Sequence, residues 1–142
     1  MNILFVDDEE RHMSMLVEEL ESRGHVVTLA SDVDSALAII DDASVTIDLV
    51  IMDVMMLPGT AFAGVELTRT GIALYQRLRS VRPIVPVIVY TNGIALDALK
   101  YFTVQNQRLC RFVHKPDVLP FEFADMMMTF VNNATNEEIL EA

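Results

Sequence analysis

The sequence predicts an α/β fold, a doubly wound sheet of five parallel strands with helices on both faces. Short apolar runs alternate along the chain with segments whose apolar residues recur at helical spacing. This is the pattern of repeated β-α units, and their right-handed crossovers place helices on both faces of the sheet. The run at 49–52 is continuously apolar, as expected for a parallel strand covered on both faces. It ends on a carboxylate, Asp53, and ligands of open α/β sheets bind at the carboxyl ends of the strands.

Length and composition predict a single domain with a sizeable core. The chain has 142 residues, of which 52% are hydrophobic and 22% charged, a balance that excludes a disordered chain. No apolar run approaches the roughly 18–20 residues needed to cross a bilayer, and the amino-terminal residues lack the pattern of a secretory leader. The single cysteine, Cys110, excludes an internal disulfide and suits a small buried hydrophobe. We therefore expect a cytoplasmic protein without membrane insertion.

The charge is unevenly distributed. The formal net charge is -11, and residues 1–53 contain thirteen acids against two bases. Residues 66–115 have the opposite balance, with eight bases against two acids. An acidic body disfavours direct binding of nucleic acid. The basic segment is either a set of solvated helix faces or a surface for an acidic protein partner.

The elements can be placed in order along the chain. Strands are predicted at 3–6, 26–29, 49–53, 87–90 and 109–113, and helices at 11–22, 33–41, 71–80, 95–104 and 120–131. Gly24 suits the end of the first helix, Asp32 the N-cap of the second, and Val65 is the earliest start of the third. These elements give one domain at 1–131 and a polar C-terminal tail at 132–142.

Four of the five strands deliver polar side chains at their carboxyl ends. These are Asp7 and Asp8, Asp53, Thr91 and Lys115. The second strand delivers only Ser31 and Asp32, as expected for a strand at an edge of the sheet. Three carboxylates in one crevice repel each other, and a cation relieves that repulsion. Oxygen donors without nearby His or Cys favour Mg²⁺.

This group of side chains is suited to phosphoryl transfer. A carboxylate such as Asp53 can attack phosphorus as a nucleophile. The reaction needs in-line positioning and neutralisation of the phosphoryl oxygens, which the Lys115 ammonium and the Thr91 hydroxyl can supply. The residues therefore predict a phosphoacceptor site centred on Asp53.

The chain resembles the response-regulator receiver domains, the phosphoacceptor modules of two-component signalling, over about residues 2–131. Four motifs carry the resemblance: Phe-Val-Asp-Asp-Glu, Ile-Met-Asp-Val-Met-Met-Leu-Pro-Gly, Val-Ile-Val-Tyr-Thr-Asn and Phe-Val-His-Lys-Pro. It implies the flavodoxin-like strand order 2-1-3-4-5. It also implies a domain that is not an enzyme beyond assisting its own phosphorylation and dephosphorylation. We expect a free-standing receiver that signals by binding another protein.

The resemblance implies a role for each residue of the phosphorylation site. Asp53 would accept the phosphoryl group from a phospho-histidine on a histidine kinase or phosphotransfer protein. Asp8, Asp53 and the main-chain carbonyl of Met55 would ligate Mg²⁺, and Asp7 would act through metal-bound water. Thr91 and Lys115 would bind the phosphoryl group.

The resemblance also implies a switch. Thr91 would move toward the phosphoryl group and Phe112 would turn inward, changing the surface of the fourth helix, fifth strand and last helix for a downstream protein target. A core aromatic on a strand is the alternative for Phe112. The bond before Pro116 would be cis.

Three features depart from the family pattern. Pro58 comes one residue later than usual, and an apparent insertion at about 58–70 precedes the third helix, either as a simple surface extension or as a shield or docking element. Asn92 stands in the phosphoryl-binding group where a small residue is usual. Met55 is an apolar residue within reach of an attacking water. We expect the last two to alter the lifetime of the phosphoryl group.

Two other functions remain open. In a binding-only receiver, the insertion would be the interface and phosphorylation would be absent or incidental. An aspartate-nucleophile phosphatase would need a second acid two residues after the nucleophile. Met55 stands at that position and cannot transfer protons, which disfavours the enzyme.

Overall fold

The computed structural model describes residues 1–92 and 96–135, apart from the side chains of 10–12. Its strands are β1 Asn2–Val6, β2 Val26–Ala30, β3 Leu49–Met52, β4 Val87–Thr91 and β5 Cys110–His114. They form one sheet in the order β2-β1-β3-β4-β5, and each neighbouring pair is parallel. The predicted fold class and strand order are confirmed.

The helices follow the predicted order. They are α1 Glu10–Ser22, α2 Val33–Ile40, α3 Thr70–Val81, α4 Leu96–Thr103 and α5 Pro120–Ala134, with short 3-10 helices at Leu67–Arg69 and Lys115–Asp117. Asp32 is the N-cap of α2, as predicted, because its carboxylate accepts a hydrogen bond from the Ser35 N–H at 2.7 Å. Residue 95, the predicted start of the fourth helix, lies outside the described residues.

The C-terminal helix is longer than its predicted end at residue 131. Val131 and Ala134 are both buried, so the apolar face of α5 continues through residues assigned to the polar tail and keeps them helical. Residues 136–142 of that tail lie outside the part of the chain that the structure describes.

Two helical layers bury the sheet. α1 and α5 pack on one face, around Phe5, Leu16 and Met127. α2, α3 and α4 pack on the other face, where Cys110 is fully buried and burial raises the pKa of its thiol to about 11. None of the helices in the described ranges has the length and apolar character that a membrane crossing requires.

The predicted insertion is an ordered element, which we call the strap and define as residues 58–69. The Asp34 carboxylate on α2 accepts hydrogen bonds from the Thr60 N–H and hydroxyl at 3.0 Å and from the Ala61 N–H at 3.1 Å. Gly59 has a φ of +65°, and a Cβ there would lie 2.8 Å from the Asp34 carboxylate. Phe62 packs against the core. Thr70, assigned to the insertion from the sequence, is the first residue of α3.

Arg79 joins α3 to the beginnings of two strands. Its guanidinium donates hydrogen bonds to the main-chain carbonyls of Pro83, Val85 and Leu109 at 3.2, 2.7 and 3.1 Å. It also lies over the Tyr75 ring, 5.0 Å from the centroid. One side chain therefore fixes the segments that lead into β4 and β5.

Replacing this side chain should destabilise the fold. Arg79→Met is expected to lower the free energy of unfolding by about 1–3 kcal/mol, because carbonyls beneath the guanidinium lose their donors. Arg77→Met is the matched control. The pair of Arg77 with Asp41 is exposed, so its loss should cost much less stability than the loss of Arg79. Urea denaturation of both variants measures the difference, and equal losses would contradict the role given to Arg79.

Candidate functional site

Four predicted site residues meet at the carboxyl edge of the sheet. The Thr91 hydroxyl donates a hydrogen bond to Asp53 Oδ1 at 2.7 Å. The Lys115 ammonium donates to Asp7 Oδ2 at 2.6 Å and to Asp53 Oδ2 at 3.3 Å. All four side chains are buried. The structure thus brings together residues that are distant in the sequence.

Strand register explains why these side chains meet. Val6 of β1 pairs with Met52 of β3, and the Asp53 N–H donates to the Val6 carbonyl at 2.9 Å. Asp7 and Asp53 therefore leave neighbouring strands at the same level. Thr91 pairs with the last residue of β5, so Lys115 follows one residue beyond that pair.

Burial and mutual charge set the protonation of the cluster. Burial raises the pKa of Asp7, and the negative charge of Asp53 raises it further. The hydrogen bonds that Asp7 accepts from Lys115 and from the Glu9 N–H lower this pKa, but burial outweighs them. Burial alone would lower the pKa of Lys115, but the hydrogen bond and charge of Asp7 and the charge of Asp53 outweigh it, and the pKa is raised. The ammonium therefore stays charged between the two carboxylates.

The predicted metal ligands are only partly assembled. The Met55 N–H donates to Asp53 Oδ1 at 3.2 Å, which fixes the acceptor loop. Asp8 is exposed, and in the described part of the chain no three His, Cys, Asp or Glu side chains form a group able to hold a metal ion. The donors are nevertheless hard oxygens, and Mg²⁺ typically takes one or two carboxylates. The chemistry of the donor set fits Mg²⁺, while the single charge of Lys115 offsets part of the negative charge of Asp7 and Asp53 in this structure.

Asn92 is adjacent to the cluster, but its side chain is exposed. Its main-chain carbonyl lies 3.3 Å from His114 Nε2. His114 Nδ1 in turn lies 3.5 Å from the Asp117 carboxylate. The sequence did not predict this contact, because in this stretch only Lys115, the residue after His114, was identified as a candidate site residue.

The two remaining predictions concern β5 and its end. Phe112 is half-buried, pairs with Val89 and packs against the core beneath α2, α3 and α4. The predicted cis bond before Pro116 is wrong, because the bond is trans, like every peptide bond that the structure describes. Pro116 is the second residue of the 3-10 helix Lys115–Asp117, where the φ of a trans proline fits the first helical turn.

Two residues that sequence reasoning missed support the site. The Gly71 N–H donates to the Val54 carbonyl at 3.0 Å, and a Cβ on Gly71 would overlap the Val54 backbone. Glycine thus allows the first turn of α3 to pack directly against the residue that follows Asp53. The Tyr90 ring lies 5.5 Å from the Lys115 ammonium, on the face of β4 opposite Val89.

Known proteins resemble this chain in sequence and in fold. The family model of the response regulator receiver domain matches residues 3–117. The transcriptional regulatory protein CpxR of Escherichia coli (strain K12) is 34% identical over 95 residues, which are 67% of this chain and 35% of CpxR. The match thus spans about a third of the length of this curated relative.

Two solved structures share the fold. A CheY-like response regulator receiver domain protein from Methanospirillum hungatei JF-1 superposes with a TM-score of 0.75 at 20% identity, over 94% of each chain. A response regulator receiver domain protein from Clostridium thermocellum superposes with a TM-score of 0.70 at 24% identity, over 99% of this chain and 98% of that chain.

Proposed function

Since this chain belongs to the response regulator receiver domain family, we propose that it accepts a phosphoryl group on Asp53. Receiver domains are signalling phosphoacceptors rather than enzymes in the ordinary sense. Membership in two-component signalling implies a histidine kinase as partner. The proposed donor is a phospho-histidine on such a kinase or on a phosphotransfer protein.

The contacts of the Asp53 carboxylate carry this proposal. One oxygen accepts the Thr91 hydroxyl and the other faces the Lys115 ammonium. In the transfer, an Asp53 oxygen attacks phosphorus while the bond from phosphorus to the histidine nitrogen breaks. The Thr91 hydroxyl and the Lys115 ammonium would then donate their hydrogen bonds to the phosphoryl oxygens instead of to the carboxylate. The groups that position Asp53 before the transfer would therefore also stabilise its product.

Receiver domains generally use Mg²⁺. Asp53, Asp8 and the main-chain carbonyl of Met55 would hold it here, with Asp7 acting through water. When bound, the ion neutralises negative charge on the transferring group. Asp7 also keeps the Lys115 ammonium beside Asp53, since one ammonium hydrogen-bonds to both carboxylates.

The readout is proposed to pass through Thr91 and Phe112. Movement of Thr91 toward a phosphoryl group would free space beside β4, and the half-buried Phe112 is placed on the neighbouring strand. The surface of α4, β5 and α5 would then change for a downstream protein. Asn92 and Met55 flank this site, and we propose that they set the lifetime of the phosphoryl group.

Mass spectrometry tests the proposal. The protein is incubated with Mg²⁺ and acetyl phosphate, and the intact mass is measured. We expect one phosphoryl adduct that is stable in acid and labile in base, absent from Asp53→Asn and retained in Asp42→Asn, a change at an exposed aspartate beyond α2. No adduct in the parent protein would indicate a binding-only receiver, in which the strap serves as the interface. Rapid consumption of acetyl phosphate without an adduct would indicate a phosphatase.

A further inference from the structure

β2 offers an open edge of the sheet. Val26 donates its N–H to the Met1 carbonyl at 2.9 Å, and Ala30 accepts the Asp7 N–H at 3.1 Å. Alternate residues of β2 therefore direct their main-chain groups toward β1. The N–H and carbonyl groups of Val27 and Leu29 lie between them and point to the other side. No strand within the described residues pairs with that side.

The composition of β2 favours pairing with another strand. Its sequence, Val-Val-Thr-Leu-Ala, contains no charged residue and no proline, the features that usually block edge strands. Val26 is 61% exposed and Leu29 is 49% exposed. Since strand residues alternate between faces, one apolar side chain stands on each face of this edge.

A partly open cavity lies beside the edge on the α2 face. Its volume is about 290 Å³. Thr28 is its one lining residue from β2; the rest of the lining comes from the start of the inner strand β1, from Ile39 of α2 and from residues 45–47. An added strand would direct every second side chain toward this face, so the cavity suits an apolar side chain of such a strand.

Acidic side chains border the edge on the α1 face. Arg23 binds Glu19 and also Asp125 of α5, so that side of α1 faces α5. At 3.6 residues per turn, Glu21 lies on the side of α1 away from α5 and toward β2, and Glu18, one turn earlier, lies on the same side but farther toward solvent. Both are exposed. They give this face of the edge a negative charge.

We propose that the β2 edge binds an extended segment of a partner protein in which apolar and basic residues alternate. The segment adds a sixth strand to the sheet through the main-chain groups of Val27 and Leu29. Its apolar side chains face the cavity beside Thr28, and its Lys or Arg side chains face Glu18 and Glu21. A second copy of this chain fits less well, because residues 1–53 of each copy contain thirteen acids against two bases and would repel each other. The proposal does not depend on phosphorylation of Asp53.

Peptide binding to the full chain tests this surface. The probe is an acetylated, amidated hexapeptide of alternating valine and lysine, and its affinity is measured by titration calorimetry. Reversing the charges with Glu18→Lys and Glu21→Lys together should weaken binding about tenfold, as expected for the loss of two exposed ion pairs and their replacement by repulsion. The matched control reverses Glu66 and Asp97 to Lys, exposed acids on the strap and on α4, and should bind nearly as well as the parent.

A second measurement separates strand addition from charge attraction alone. Leu29→Pro removes an outward N–H without touching the pairing with β1, a substitution that edge strands tolerate, and it should abolish binding. N-methylation of alternate residues of the peptide should do the same, which keeps the test valid if the proline variant fails to fold. Equal binding to both charge-reversed proteins, or undiminished binding of the methylated peptide, would overturn the proposal. A concentration-dependent dimer that Leu29→Lys disrupts would assign the edge to a second copy and would also overturn it.

Discussion

Lys115→Met is expected to destabilise the protein by about 3–5 kcal/mol at neutral pH, the range measured when one partner of a buried charge pair is removed. The substitution keeps the length of the side chain but leaves Asp7 and Asp53 buried beside each other without a cation. Lys100→Met is the matched control, since Lys100 is the other lysine of the chain and is exposed on α4. Its effect should be within about 0.5 kcal/mol. Urea denaturation near pH 7 measures both.

The loss should depend on pH in a defined direction. Without the ammonium, the pKa of Asp7 rises further above its ordinary value of 3.8, and the folded state favours the protonated acid. A group whose pKa is higher in the folded state than in the unfolded state stabilises the protein fully at pH values below its unfolded-state pKa. This stabilisation is lost as pH rises through its folded-state pKa. The deficit of Lys115→Met relative to the parent should therefore shrink toward pH 4 and grow toward neutrality. A deficit that is constant across this range would contradict an electrostatic origin.

The parent should show the complementary behaviour in alkali. The pKa of Lys115 is raised above its ordinary value of 10.5, so its contribution is complete below that value and is lost as pH rises through the folded pKa. Lys115→Met lacks this loss. The stability curves of the two proteins should accordingly converge above pH 10.5.

Gly71→Ala is expected to destabilise the protein by about 1–3 kcal/mol, as overpacked sites do. Replacing glycine by alanine inside a helix ordinarily stabilises a protein by about 0.5–1 kcal/mol. A loss of stability in Gly71→Ala would therefore itself indicate a steric clash. Here the new Cβ would meet the Val54 backbone, including its carbonyl oxygen at 2.8 Å, and backbone atoms cannot rotate away. The first turn of α3 must therefore move from the loop that follows Asp53, and phosphorylation by acetyl phosphate should slow as well.

Gly64→Ala is the control for this substitution. Gly64 has a φ of +89° but no atom within 4 Å of its added Cβ, so the variant reports backbone strain alone. Its free energy of unfolding should fall by about 1 kcal/mol, and its phosphorylation rate should equal that of the parent. Denaturation midpoints and adduct formation followed by mass resolve the two effects. An unchanged rate in Gly71→Ala would show that the loop after Asp53 does not need this contact.

The central cluster could be predicted from the sequence because it depends on the ends of strands. Apolar runs locate the strands and parallel pairing aligns their carboxyl ends. Thr91 is the last residue of its strand, and Asp7, Asp53 and Lys115 each come directly after theirs. The contacts of Asp34 with the strap and of Gly71 with Val54 could not be predicted in this way. They depend on the path of a connection and on the separation of two backbones, which hydrophobic periodicity does not report. The exposure of Asp8 and the trans bond before Pro116 likewise depend on local backbone geometry rather than on residue type.

The strap has a mechanical consequence for the whole helical layer. At one end it is held by the three hydrogen bonds from Thr60 and Ala61 to Asp34 of α2. At the other end Arg69 lies 3.9 Å from the Asp97 carboxylate of α4. The strap thus bridges α2 and α4 across α3, but its hold is unequal, because an exposed ion pair is weak. A displacement of α4 would break the contact with Asp97 before those with Asp34, so the strap would stay on α2 and leave α4 free to move.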